Sequence, residues 1–175
     1  MITRRHEADG TRSEALYSDC EAYRYLLSRD WGEGGRLLYI LLNPSTATEA
    51  RNDPTIERCE RRARAAGFGG FAVANVFAFR ATDPRDLKRA AEPVGAANDA
   101  ILAEVATDAT MILCGWGAHG GHLGRGDTVV RLLRAGGHPL WHLGLTQGGQ
   151  PRHPLYIGYA RGPERWVNGG ENADN

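Results

Sequence analysis

Four apolar segments, each ended by a polar break, constrain this chain more than any other feature. They cover residues 36–42, 71–79, 111–114 and 139–143. Segments this short and this apolar read as strands buried on both faces. Helical patterns lie between them. Asp53-Pro54 supplies an N-cap followed by proline at the first helical position, and Ile56, Cys59, Ala63 and Ala66 then recur at helical spacing up to Gly67. Residues 86–91 fit a helical turn, and residues 98–107 and 128–135 fit amphipathic helices. Tyr23, Tyr25 and Leu27 alternate as in a strand, and the turn at 31–35 joins them to 36–42 as a hairpin. The alternation predicts an α/β fold with three layers, α/β/α. Its core is a mostly parallel four-stranded sheet, with an N-terminal hairpin strand added. One domain spans 1–175, its core lies at about 20–163, and both polar ends are expected to fray.

Composition narrows the function classes. The 175 residues are 42% hydrophobic and 24% charged, as in a soluble globular protein. The longest apolar runs fall far short of the ~20 residues a spanning helix needs, and no apolar stretch follows the basic residues at the start. A cytoplasmic protein without a membrane partner is expected. Three cysteines, Cys20, Cys59 and Cys114, form no C-x-x-C pair and read as free intracellular thiols. Twenty-one basic and 21 acidic residues cancel, which excludes a protein that coats nucleic acid by charge alone. Residues 51–89 nevertheless carry nine basic against five acidic side chains, a local excess of +4.

In an open parallel sheet, ligands bind beyond the carboxyl ends of the strands. Four segments fall there: Asn43-Pro44-Ser45-Thr46; Asn75 with Arg80 to Pro84; Gly115-Trp116-Gly117-Ala118-His119; and Arg152-His153-Pro154. An Asn-Pro step is also an ordinary turn, and Asn75 is either satisfied within the core or free to read a base edge. Gly115 to Gly120 spells G-x-G-x-x-G, but it follows the third strand and lacks the acidic residue that holds a ribose, so no dinucleotide cofactor is expected. Cys114, His119 and His122 match no common zinc spacing, and no metal is expected.

Residues from about Tyr23 to Tyr156 resemble the uncharacterised bacterial and phage family called domain of unknown function 1643. The matching motifs are Leu42-Asn43-Pro44-Ser45-Thr46-Ala47, Asn52-Asp53-Pro54-Thr55, Asn75-Val76-Phe77, Gly115-Trp116-Gly117 and Pro151-Arg152-His153-Pro154-Leu155-Tyr156. That family names no reaction. More distantly, the order of motifs is similar to the uracil-DNA glycosylase superfamily. Leu41-Leu42-Asn43-Pro44 resembles its first motif, Ala74-Asn75-Val76 its base-reading segment, Trp116-Gly117 its third motif and His153-Pro154 its last. Leu41 and Leu155 stand where that superfamily usually has Gly and Ser.

The second resemblance implies a uracil-DNA glycosylase-like fold and an N-glycosidic hydrolase that handles nucleobases. Asn43 would orient water and His153 would stabilise the leaving base. Pro44, Ser45, Asn75, Phe77, Trp116, Gly117 and Arg152 would contact substrate, with Phe77, Phe79 and Trp116 all candidates to stack on the base. Arg58, Arg62 and Arg80, and beside them Arg61, Arg85 and Arg89, would meet phosphates; the same arginines also fit a merely solvated face. The expected partner is a nucleic acid, nucleotide or nucleoside. A non-catalytic binding module on the same fold is the alternative. A third reading is an enzyme of another class in which Asp53 or Asp83 supplies a carboxylate, although both also fit as a helix cap or turn residue.

Overall fold

The computed structural model describes residues 1–167. An eight-stranded sheet runs through it, built from β1 (Ile2–Ala8), β2 (Thr11–Tyr17), β3 (Arg24–Asp30), β4 (Arg36–Leu41), β5 (Gly70–Asn75), β6 (Met111–Cys114), β7 (Leu140–His142) and β8 (Glu164–Arg165). The strand order is β1-β2-β3-β5-β4-β6-β7-β8. Helices α1 (Pro54–Ala65), α2 (Pro84–Arg89), α3 (Asn98–Thr107) and α4 (Arg125–Ala135) fill the connections.

The sheet corrects the expected architecture. It is mixed rather than mostly parallel: four of its seven strand pairings are antiparallel and three are parallel. There are two causes, the first local and the second not. The first twenty residues form a hairpin instead of fraying. Asp9-Gly10 makes its two-residue turn with both φ angles positive (50° and 73°), the conformation favoured for such a turn. The inward alternation of Ser13, Ala15 and Tyr17 then anchors β2 to the core. The second cause lies at the expected hairpin between 23–27 and 36–42, which does not form. β5 inserts between β3 and β4, antiparallel to the first and parallel to the second. The segment after β3 crosses the start of β5 instead, where Trp31 and Gly32 both donate backbone N–H to Gly69 O. At the other end, Glu164 and Arg165 pair with β7, although a frayed tail was expected from residue 164; residues 168–175 of that tail lie outside the described residues.

Alternation along the central strands sorts their side chains to two faces. Leu38, Ile40, Ala72, Ala74, Ile112 and Cys114 pack with Leu87, Leu102, Val129 and Leu133, so α2, α3 and α4 cover one face. Leu37, Tyr39, Leu41, Phe71, Val73 and Leu113 pack with Ile56, Cys59 and Ala63 of α1 on the other. Asp53 caps α1 by accepting Ile56 N–H at 2.9 Å, and its second oxygen accepts Ala47 N–H at 3.2 Å. That carboxylate ties the loop after β4 to the start of the helix. Among the described residues, no helix is long and apolar enough to cross a membrane.

Candidate functional site

The register of the central strands places their ends side by side. Asn75 at the end of β5 is level with Leu41 of β4, and Ile40 is level with Cys114 of β6. Asn75 and Gly115 thus flank Leu41 in one row, two strand spacings or about 10 Å apart. By alternation after Phe71 and Val73, Asn75 faces the α1 side. Gly115 faces the same way: a Cβ there would stand 2.8 Å from Pro154 Cδ and 3.1 Å from Arg152 O. Only glycine lets the 152–154 segment approach β6 so closely. Gly117 N–H then donates to Pro151 O at 2.7 Å, fastening the two loops together.

His153 is held within that fastening. Its Nδ1 accepts Leu155 N–H at 3.2 Å, which leaves the proton of a neutral imidazole on Nε2. Burial pushes its pKa down to about 4, although the Asp53 carboxylate at the start of α1 pulls the other way. At neutral pH His153 is therefore an uncharged Nε2–H donor.

Asn43 is fixed as well. Its Nδ2 donates to Pro44 O at 3.0 Å and to Ala81 O at 2.7 Å, so its Oδ1 is left as an acceptor. Ala81 N–H returns a bond to Pro44 O at 3.0 Å, stitching loop 43–45 to loop 80–82. Ser45 Oγ donates to Thr82 Oγ1 at 3.3 Å across the same seam.

Asn75 is 2% exposed, and its Oδ1 has no partner among the described residues. Its backbone is held from the opposite face. Asn98 Nδ2 donates to Asn75 O at 2.9 Å and to Val76 O at 3.3 Å. Arg125 Nε donates to Val76 O at 2.7 Å, and its Nη2 pairs with Asp99. Neither Asn98 nor Arg125 stood out in the sequence. Asn98 did leave a signal: it is a polar residue three and four positions before Ile101 and Leu102, on the apolar stripe of α3.

The other expected residues have more structural placements. Trp116 is buried, with Nε1 donating to Gln150 Oε1 at 2.7 Å and its ring packed against Gly120 and Trp166. Phe77 is buried in the α3–α4 core with its ring 5.7 Å from that of His122. Phe79 is half-buried and meets Tyr23 edge-on at 5.8 Å. Arg62 is buried and donates to the carbonyls of Ile157, Gly158 and Arg161; Arg58 adds a bond to Ile157 O at 3.0 Å. Arg61 and Arg64 pair with Glu57 and Glu60 on their own helix. Arg80 Nη1 donates to Glu21 O at 3.0 Å. Arg152 is exposed beside His153. Asp83 caps α2 and its pKa is lowered to about 2, first by the side-chain bond from Arg85. Asp53 and Asp83 are thus both engaged as helix caps.

Among the described residues, no group of three or more His, Cys, Asp or Glu side chains could hold a metal ion. Cys59 and Cys114 are buried, and burial pushes both thiols up. No curated protein and no solved structure matches the chain. Residues 24–155, well over half of its length, match the family described as protein of unknown function DUF1643, and they include Asn43, Asn75, Gly115 and His153; the chain belongs to that family.

Proposed function

We propose that this protein binds a nucleobase at the ends of β4, β5 and β6 and hydrolyses its N-glycosidic bond. The carrying observation is the pairing of two complementary groups on one face of the sheet. Asn75 offers a buried acceptor without a partner among the described residues, and His153 offers an Nε2–H whose tautomer Leu155 fixes. A lactam edge, with an N–H beside a C=O, answers that combination in a way that an apolar ligand does not. The row from Asn75 to Gly115, on which the 152–154 segment packs, is about 10 Å wide, room for one base ring hydrogen-bonded at both sides. The order of the four motifs, similar to that of the uracil-DNA glycosylase superfamily, supports the same reading.

The chemistry needs little else. Water held by Asn43 Oδ1 adds its oxygen to the anomeric carbon as the carbon–nitrogen bond breaks. The bond pair leaves with the base, and His153 Nε2–H donates to the base oxygen where negative charge collects. A proton from the attacking water passes through solvent to the base, so the products are a sugar hydroxyl and a neutral base. An amide cannot accept that proton, so turnover is modest compared with that of a carboxylate.

The test is incubation with nucleosides, nucleotides, and single- and double-stranded oligonucleotides bearing uracil, hypoxanthine or mismatches. Released base that vanishes in Asn43→Ala and His153→Ala supports hydrolysis. Binding without release, still lost in Asn75→Ala, supports a binding module instead. Neither release nor binding sinks the nucleobase reading.

A further inference from the structure

Beside Asn43, beyond the seam between loops 43–45 and 80–82, lies a cleft of about 600 Å³ lined by Glu21, Ala22, Ser45, Phe79, Arg80, Ala81, Thr82 and Asp86. Its chemistry is that of an anion subsite. The Arg80 guanidinium lies over the Tyr17 ring at 5.3 Å, which fixes its plane. Nη1 is spent on Glu21 O and Nε is buried, without a partner among the described residues, so Nη2 is the nitrogen left to meet a ligand. Behind it Arg24, 2% exposed, also has a buried Nε without a partner among the described residues. Ser45 donates to Thr82 through a long 3.3 Å bond, which leaves the Thr82 hydroxyl proton free for a ligand. The two carboxylates at the rim are countered: Glu21 pairs with Arg4 at 2.6 Å and Asp86 with Arg89 at 3.9 Å.

We infer that this cleft is the phosphate subsite of a mononucleotide, with Arg80 and Thr82 holding one phosphoryl group, Ser45 orienting the Thr82 hydroxyl, and the base lying against Asn75 and His153. The inference rests on the nucleobase reading for the identity of the ligand and on the cleft for its charge. Arginine beside a free hydroxyl proton suits a phosphoryl oxygen fork. A mononucleotide fits better than a polymer because α1 offers no row of available arginines. Arg58 and Arg62 hold the carbonyls of 157–161, and Arg61 and Arg64 hold carboxylates. The seam joins the two subsites through one backbone, since Ala81 O holds Asn43 Nδ2 and Ala81 N–H holds Pro44 O.

Calorimetric titration of the full chain with inorganic phosphate, uridine, uridine 5′-monophosphate, inosine and inosine 5′-monophosphate tests this, together with a short uracil-bearing oligonucleotide. For at least one base, the monophosphate is expected to bind about tenfold or more tightly than its nucleoside, roughly 1.4 kcal/mol. That advantage disappears in Arg80→Gln and in Thr82→Val, with nucleoside affinity kept within about twofold. Thr82 is exposed, so its variant guards against a folding defect in Arg80→Gln. Equal affinity for nucleoside and nucleotide, an advantage that survives both variants, or tighter binding of the oligonucleotide than of the monophosphate overturns the inference. Failure of the nucleobase reading looks different: neither nucleosides nor nucleotides bind. Inorganic phosphate binding that is lost in both variants would then still support the subsite, and its absence would overturn that as well.

Discussion

Asn98 Nδ2 on α3 donates to the backbone carbonyl of Asn75, 2.9 Å away, so the candidate-site residue on one face of the sheet is held by a residue packed on the other. Val76 O receives both Asn98 and Arg125. The end of β5 is therefore clamped at two consecutive carbonyls, in a region where the strand no longer pairs regularly.

Removing the clamp should be costly. Asn98→Ala leaves Asn75 O without that bond in a site 0% exposed at residue 98, and the expected loss is ~2 kcal/mol of folding stability. Urea denaturation should show a lower midpoint at unchanged slope. A loss below ~0.5 kcal/mol would mean that the clamp carries no weight.

The pH dependence of stability carries the mark of His153. Its folded pKa of about 4 lies below the ordinary 6.5, so between these values the unfolded chain takes up a proton that the native state refuses. Stability from this group is complete above pH 6.5, falls as the pH drops toward 4, and is flat below that. The total is at most ~3 kcal/mol. Comparing wild type with His153→Gln between pH 4 and 7 isolates it. The slope should shrink in the variant but not vanish, because burial also lowers the pKa of His142.

Gly115 is required by a close approach. Gly115→Ala places a methyl group 2.8 Å from Pro154 Cδ, and the 152–154 segment must give way. The expected cost is ~1–3 kcal/mol, with weaker nucleobase binding as His153 moves. Gly158→Ala meets nothing within 4 Å and is the control; both quantities should stay at wild-type values there.

Arg62 serves the fold rather than a ligand. Arg62→Met strips hydrogen bonds from three carbonyls between Ile157 and Arg161. Limited proteolysis should then cut within 157–161 at protease levels that leave wild type intact, with ~1–3 kcal/mol lost in denaturation.

Thiol titration separates the cysteines. Cys20 is exposed and its pKa is lowered, first by the hydroxyl of Ser18, whereas Cys59 and Cys114 are buried. A disulfide reagent should modify one thiol per native chain and three in denaturant. More than one in the native state would contradict the packing around α1 or β6.

Much of this organisation was legible in the sequence where one physical signal dominated. Asp53-Pro54 and Gly67 bracket α1 because cap, proline and glycine act locally, and residues 111–114 form β6 as their apolar run requires. Pairing was less legible because it is decided at a distance. Nothing in residues 23–42 tells β3 to leave room for a strand that starts at Gly70. The N-terminal hairpin was readable from Asp9-Gly10 and the alternation of β2, but the charges of β1 obscured it. In the site, the motif segments lie at the strand ends, yet the partners of each side chain depended on the tertiary structure. Arg58 and Arg62 belong to a basic stretch by composition, whereas their geometry ties them to a loop almost a hundred residues away.

The insertion of β5 between β3 and β4 also makes the assembly of the sheet depend on distant segments. The β1–β2–β3 meander closes through short turns and can form on its own timescale, but its edge joins β5, which lies some forty residues beyond β3 and shares its other edge with β4. Docking the meander is thus a non-local step that carries a loop-closure cost which its own turns do not. A chain stalled before that step would expose one bare edge on β5 and another on β3, which together are the stickiest surface it can offer a neighbour.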